Sequence, residues 1–279
     1  MHWIFSDGAY VKHTIEGVMQ SVLNQINLFC STLTIPYKIY WTVMFLLRNS
    51  FRMLALIGAA ALAACGGGGG GSDAPPAVTS FQLLKGFQAR AAGAQTEKFS
   101  ISGTCSGTLN STQAGAVAGT FEGAPVMSKT VTATLNFTNC TPASSASTTV
   151  GYYDSNYSLL GHSTQNVEYG KFLTVPALLP TSVKIGDTAV YGTETIYADS
   201  TKTTLKGQRT LSYVIEADVG STQTAVANLI TRDFNTANQL LYTQQSRFRL
   251  AADGTLTPIS QDLQFSTTSS NHLVLTAVP

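Results

Sequence analysis

Apolar and polar side chains alternate with a period of two residues along most of the chain after residue 98. The clearest case is KTVTATLNFTNC at residues 129–140, where Val131, Ala133, Leu135 and Phe137 alternate with polar residues. This period is typical of a strand with one buried face. Similar segments, separated mostly by short Gly, Asp or Asn turns, cover residues 99–104, 116–122, 148–153, 188–197, 209–218, 224–232, 239–250, 256–265 and 272–277. Residues 155–180 read as long irregular connections.

No segment after residue 99 has a convincing helical period, so we predict an all-β, antiparallel domain over residues 98–279. Its strands would follow one another as a meander and form a sandwich or a half-open barrel. A division into two lobes, residues 98–150 and 151–279, stays open. The charged fraction of 11%, against about 25% in an average soluble domain, agrees with a chain rich in Thr, Val and Tyr, residues that favour strands. A net charge of +1 does not provide the excess of basic residues that is typical of nucleic-acid binding.

Residues 44–65, MFLLRNSFRMLALIGAAALAAC, have the layout of a secretory signal peptide. Arg48 and Arg52 precede an apolar run at residues 53–64, which is shorter than the roughly 20 residues of a membrane span. The ending Leu62-Ala63-Ala64-Cys65 resembles the lipobox of bacterial lipoproteins. This resemblance implies that a lipid is attached to the Cys65 thiol, that the chain is cut just before it, and that the new N-terminus is acylated.

The segments on either side of Cys65 fit that interpretation. Gly66, rather than Asp, follows the cysteine, and the resemblance then implies the outer membrane, with the periplasmic or surface face left open. Residues 1–43 are either an upstream extension assigned in error, with Met44 the true start, or a real extension removed with the signal; Cys30 lies within them. Residues 65–97 read as a tether because six glycines, Gly66 to Gly71, and then Ala74-Pro75-Pro76 follow the cysteine. A short amphipathic helix could form from Val78 to Leu84 together with Phe87.

Cys105 and Cys140 are the two remaining cysteines of the exported chain. Exported proteins fold in oxidising compartments, so we expect these residues to form a structural disulfide. Two inert thiols or a metal site are the alternatives, but neither His162 nor His272 lies at ligand spacing. We therefore expect no metal and no cofactor.

Residues able to support catalysis are sparse. His162 and Ser163 are adjacent, so on a strand they would point to opposite faces, and no G-x-S-x-G motif is present. His272 begins the last predicted strand and reads as a packing residue. Glu216 and Asp218 could share a strand face, and Asp199 lies near Glu194, but solvated strand ends explain these carboxylates equally well. We therefore expect a protein that is not an enzyme.

Tyr152, Tyr153, Tyr157 and Tyr169 form the strongest binding candidate, because tyrosine presents a flat apolar face with a polar tip. Packing at a sheet edge is the alternative. The sequence thus predicts a lipid-anchored protein of the cell envelope with a non-enzymatic binding or structural β-domain. The partner could be an envelope protein, a glycan or a lipid. A carrier or chaperone for a hydrophobic molecule is the second hypothesis, and a hydrolase the third.

Overall fold

The computed structural model describes residues 77–266 and 271–279, and Cys65 with the whole signal segment lies outside them. The described residues contain helix α1 (Leu83–Ala92) and a series of antiparallel strands. The strands are β1 (Gln95–Gly103), β2 (Gly107–Gln113), β3 (Val117–Phe121), β4 (Ala124–Phe137), β5 (Ser144–Tyr153), β6 (Leu159–Thr164), β7 (Glu168–Phe172), β8 (Thr188–Tyr197), β9 (Leu205–Ala217), β10 (Thr224–Asn235), β11 (Leu240–Ala251), β12 (Leu256–Phe265) and β13 (His272–Ala277).

These strands close into a ring. From β4 to β13 each strand pairs with the next in the chain, β13 pairs with β1, and β1 pairs with β2. The ring closes because β2 pairs with β4 over seven residues, from Gly107 opposite Phe137 to Gln113 opposite Val131. Strand β3 pairs with β4 alone, so it lies beside a closed barrel of 12 strands. The predicted all-β antiparallel class is confirmed, and the barrel is closed rather than half-open.

The period of two residues decides which side chains face the interior. On β9, Leu211, Tyr213 and Ile215 point inward and are at most 7% exposed. On β4 the predicted apolar face, including Val131 and Leu135, also points inward, while Thr130 and Thr132 are exposed. The interior therefore holds the hydrophobic core, and the outer wall carries rows of threonine and serine.

Helix α1 fills one end of the barrel, which we call the helix end. The residues leading into it are held there by a bridge between Phe81 and Val183, in the loop between β7 and β8. Phe81 and Leu83 are at most 1% exposed and pack against Ile215 and Leu250 on the inner wall. Residues 77–97, which the sequence assigned to a tether, thus belong to the folded domain. No helix in the described ranges is both long and apolar enough to traverse a bilayer.

A second apolar cluster and the disulfide lie toward the opposite end. Phe99, Ile101, Leu109 and Leu275 form this cluster on β1, β2 and β13. Cys105, between β1 and β2, is bonded to Cys140, between β4 and β5, with sulfurs 2.01 Å apart. The predicted disulfide is therefore present. Residues 155–180 contain β6 and β7, two short strands that the sequence pattern did not reveal.

Candidate functional site

A cleft of about 240 Å³ lies between α1 and the inner wall of the barrel, close to the helix end. Leu84 and Phe87 form one side of it, and Val131 on β4 and Leu159 on β6 form the other. The loop between β7 and β8 lies beside the cleft, because the Ala177 amide donates to the carbonyl of Tyr191 at 2.9 Å. The cleft is therefore mainly apolar and open on one side.

The hairpin between β5 and β6 contributes Tyr157 and Ser158 to the cleft. Asp154 shapes this hairpin, since its Oδ1 accepts the amides of Asn156 and Ser158, each at 2.8 Å. The Gln88 side chain of α1 donates to the carbonyl of Asn156 at 2.9 Å. The hairpin is thus fastened to the helix that forms the other side of the cleft.

Lys129 is the charged group on the β4 side of the cleft, and it is only 2% exposed. Its Nζ donates to the carbonyl oxygens of Arg90 and Gly93, the latter at 2.9 Å. Both carbonyls belong to the C-terminal end of α1, where the helix dipole favours a cation. Burial lowers the pKa of Lys129 to about 8; the positive charge of Arg90 acts in the same direction, and the carboxylate of Glu97 opposes both.

Three hydroxyl groups in the cleft have no hydrogen-bond partner among the described residues. The Oγ of Ser158 is completely buried without a partner. Tyr153 and Tyr191 also line the cleft, and neither hydroxyl is bonded to another described group. Burial raises the pKa of both tyrosines, so both remain protonated donors. Unpaired donors beside an apolar wall are typical of a site that fixes the orientation of a ligand.

A second polar feature lies on the same inner wall, and we call it the charge cluster: His162, Glu168, Glu194, Arg209 and Asp233. These residues come from the successive strands β6 to β10. His162 Nδ1 lies 2.8 Å from Glu194 and Nε2 lies 2.8 Å from Glu168. Arg209 donates to Asp233 at 2.6 and 2.8 Å and to Glu168 at 3.0 Å. Each side chain in the cluster is thus engaged by a group of opposite charge.

The titration of the charge cluster follows from this pairing. Burial alone would lower the pKa of His162, but the hydrogen bonds to Glu168 and Glu194 outweigh it and raise that pKa to about 9. Burial would raise the pKa of Glu168, but His162 and Arg209 lower it to about 2. His162 is therefore an imidazolium at neutral pH, with both ring nitrogens occupied, and it is a poor general base.

Glycine makes the charge cluster possible. Lys129, Gly151, His162 and Gly170 stand opposite one another in register on β4 to β7. A Cβ atom on Gly170 would lie 2.4 Å from His162 Cε1 and 2.6 Å from Glu194 Oε1. Sequence reasoning missed this cluster. The available signal was the inward position of Glu194, Arg209 and Asp233 on strands that otherwise bury apolar side chains.

The groups considered for catalysis are kept apart. Ser163 follows His162 on β6 and faces the other way, so the two do not form a nucleophile and base pair. His272 is 46% exposed on β13 and contacts Asp262 at 3.0 Å. Glu216 accepts from Asn228 at 2.8 Å, and Asp218 accepts from Arg249 at 2.8 Å. Asp199 belongs to a turn, where it accepts the Thr201 amide at 2.9 Å, and Glu194 belongs to the charge cluster.

The four predicted tyrosines are divided between two faces of the barrel wall. Tyr152 and Tyr169 lie outside, stacked on Phe121 of β3 with centroids 4.5 and 5.6 Å apart. Tyr153 and Tyr157 line the cleft. The division follows from the strand period, since Tyr152 and Tyr153 are neighbours on β5. The structure therefore does not present these tyrosines as one surface.

No metal centre is formed by the His, Cys, Asp and Glu side chains of the described ranges. Comparison of the chain with family models, with curated proteins and with solved structures finds no match. The cleft and the charge cluster are thus the features from which a function can be argued.

Proposed function

We propose that this protein is a lipoprotein of the bacterial cell envelope, anchored to the outer membrane through Cys65, whose barrel binds a small, mainly apolar molecule. The observation that carries this proposal is the cleft between α1 and the inner wall. It combines apolar walls with a few convergent polar groups, which is the usual composition of a small-molecule site. The proposal combines two hypotheses that the sequence raised as alternatives, a non-enzymatic binding domain and a carrier of a hydrophobic molecule.

The size of the cleft limits the ligand. Sites for drug-sized molecules enclose roughly 300–1,000 Å³, whereas this cleft encloses about 240 Å³. The ligand is therefore a small molecule or the end of a longer chain. A long apolar molecule could extend out of the cleft, because the cleft is open on one side.

The position of the cleft agrees with a membrane anchor. The described chain begins at residue 77, and the Val78 amide donates to the Thr222 carbonyl at 2.8 Å, at the helix end. The dozen or so residues back to Cys65 span at most about 3.6 Å each, or roughly 40 Å. The same end carries the exposed side chains of Leu173, Val175 and Leu178, between 60% and 74% exposed. In the proposed arrangement the cleft opens near the membrane, where apolar molecules are found.

A fluorescence titration tests the cleft. The neutral apolar dye N-phenyl-1-naphthylamine should bind the full chain, and Ala177→Trp should weaken binding at least tenfold, because Ala177 lines the cleft and the larger side chain would fill it. Ala237→Trp is the matched control, since Ala237 is exposed in the turn between β10 and β11 at the opposite end. If wild-type protein fails to bind the dye, or if both variants bind like wild type, the cleft is not a binding site.

Palmitate labelling tests the anchor. Wild-type protein produced in a bacterial host should take up labelled palmitate, and Cys65→Ala should take up none, because the thiol is the proposed attachment point. Cys30→Ala is the control and should be labelled like wild type. Continued labelling of Cys65→Ala would overturn the proposed anchoring.

A further inference from the structure

We infer that the ligand of the cleft is a small carboxylic acid, with its carboxylate on Lys129 and its apolar body between α1 and the inner wall. This inference rests on the proposed function and specifies the chemistry of the same site. It depends on three observations: an excess of positive charge at the cleft, unpaired hydroxyl donors, and apolar walls.

The excess of positive charge comes from Lys129. Arg90 forms an ion pair with Glu97, and the Gln113 amide donates to the same carboxylate at 3.5 Å. Lys129 contacts no carboxylate among the described residues, and its two acceptors are backbone carbonyls. An ammonium group has three N–H donors, so one remains for a ligand. A buried charge without a counter-ion is costly, and a bound carboxylate would supply that counter-ion.

The charge cluster does not supply the counter-ion for Lys129. Its carboxylates are already engaged by His162 and Arg209, and neither Glu168 nor Asp233 has a hydrogen bond to Lys129. Gly151 stands between Lys129 and His162 in the register of the inner wall. Glu97 attracts the ammonium group through space, but it is itself paired with Arg90, so the ammonium group faces the cleft without a carboxylate in contact with it.

The hydroxyls of Tyr153, Tyr191 and Ser158 provide the remaining donors. All three residues line the cleft with Lys129, and their hydroxyls have no partner among the described residues. A carboxylate has two oxygens and about four acceptor positions, so it can accept from an ammonium and from hydroxyls together. A neutral alcohol accepts fewer hydrogen bonds, and an amine would place a second cation beside Lys129.

The apolar body of the ligand is accommodated by the walls. Leu84 and Phe87 on α1 face Val131 and Leu159 across the cleft. Burial of each CH₂ group contributes about 0.8 kcal/mol. A single negative charge on a short apolar chain therefore matches the single unpaired cation and the limited volume of the cleft.

Isothermal titration of the full chain with octanoate, 1-octanol and octylamine at pH 7 tests the inference. These probes share one chain and differ in charge. We expect octanoate to bind at least tenfold more tightly than octanol, and octylamine to bind most weakly. Lys129→Met should reduce octanoate affinity to the level of octanol without changing octanol affinity. Lys171→Met is the matched control, since Lys171 lies on the outer wall and pairs with Glu122 at 2.7 Å.

The outcomes distinguish a failure of the proposed binding function from a failure of the assignment of a carboxylic acid. If folded wild-type protein binds none of the three probes, the proposed binding function itself fails. If octanol binds as tightly as octanoate, or if folded Lys129→Met keeps the octanoate affinity, the cleft binds apolar molecules but the assignment of a carboxylic acid is overturned.

A second measurement on wild-type protein covers the case in which Lys129→Met does not fold. The ¹³C chemical shift of [1-¹³C]octanoate reports the ionisation of its carboxyl group. The carboxyl group of bound octanoate should remain ionised to a lower pH than that of free octanoate, because the ammonium group stabilises the anion. A pKa for bound octanoate equal to or above that of the free acid would also overturn the inference.

Discussion

Gly170 decides whether His162 can reach Glu194. The two side chains meet above the Cα atom of Gly170 on the inner wall, at distances that a Cβ atom could not tolerate. On β5, two strands away, Gly151 leaves room in the same way for the ring of Tyr153, whose hydroxyl would lie 2.9 Å from an added Cβ atom. Two glycines in one register row thus make space for the polar interior of the barrel.

Gly170→Ala should lower the free energy of unfolding by about 1–3 kcal/mol, the usual cost of overpacking a filled interior. Urea unfolding measures the change. Gly115→Ala is the matched control, because its added Cβ atom would meet nothing closer than 3.7 Å. Equal effects of the two substitutions would show that the space above Gly170 is not required.

His162 should make the stability of the fold depend on pH. Its pKa is raised from 6.5 to about 9, so its contribution is complete below pH 6.5 and is lost as the pH rises through 9. With about 1.4 kcal/mol for each pKa unit, the loss is on the order of 3 kcal/mol. Urea unfolding at pH 6 and pH 10 should therefore show a larger fall for wild type than for His162→Gln. Lys129 titrates in both proteins, so its contribution to the pH dependence cancels in the comparison. An equal fall in the free energy of unfolding of the two proteins between pH 6 and pH 10 would contradict the prediction.

At the scale of elements, α1 provides the core of one barrel end and one side of the cleft. Its N-terminal turn buries Leu83, which is 0% exposed, and its close approach to the wall uses Gly86, where a Cβ atom would lie 2.2 Å from the carbonyl of Gly254. Its C-terminal carbonyls accept from Lys129. The helix is therefore fixed at both ends, and the cleft beside it has a defined shape.

Leu83→Ala should lower the free energy of unfolding by about 2–5 kcal/mol, because it removes a fully buried side chain and leaves a cavity. Lys85→Ala, at an exposed position of the same helix, should change it by less than about 0.5 kcal/mol. Thermal or urea unfolding measures both. A small effect of Leu83→Ala would show that α1 is docked loosely against the wall.

At the scale of the whole molecule, the pairing of β2 with β4 converts a meander into a closed barrel. The disulfide lies at one end of this pairing, since Cys105 precedes β2 and Cys140 follows β4. The disulfide therefore joins the turn between β1 and β2 to the turn between β4 and β5, beside the pairing of β2 with β4 that leaves β3 outside the ring. β3 and its aromatic contacts then pack against the outer wall beside β4.

Replacing both cysteines, Cys105→Ser with Cys140→Ser, should lower the free energy of unfolding by about 4 kcal/mol, because the bond closes a loop with a sequence separation of 35. Unfolding of wild type under reducing conditions should show the same loss, and the double variant should not respond to the reductant. If the reductant also destabilised the double variant, the loss of stability under reducing conditions would not come from the bond between Cys105 and Cys140.

The sequence by itself determined the secondary-structure class and the inward face of strands such as β4, and it predicted the disulfide between Cys105 and Cys140. These features follow from local rules, because a strand alternates its side chains every two residues and two cysteines of one domain pair readily under oxidising conditions. The strands β2, β6 and β7 escaped detection, since segments of five to seven residues that include a glycine and few apolar side chains carry too little alternation to be recognised.

Only the tertiary structure decided how these parts combine. The closure of the ring depends on β2 reaching β4 past β3, and no local pattern encodes a pairing between distant segments. The cleft and the charge cluster assemble side chains from up to five strands and a helix. In the sequence, Lys129 is indistinguishable from a solvated residue at the start of a strand. A cleft of this kind is a property of long-range packing, because its charges and its volume exist only when the barrel is closed around α1.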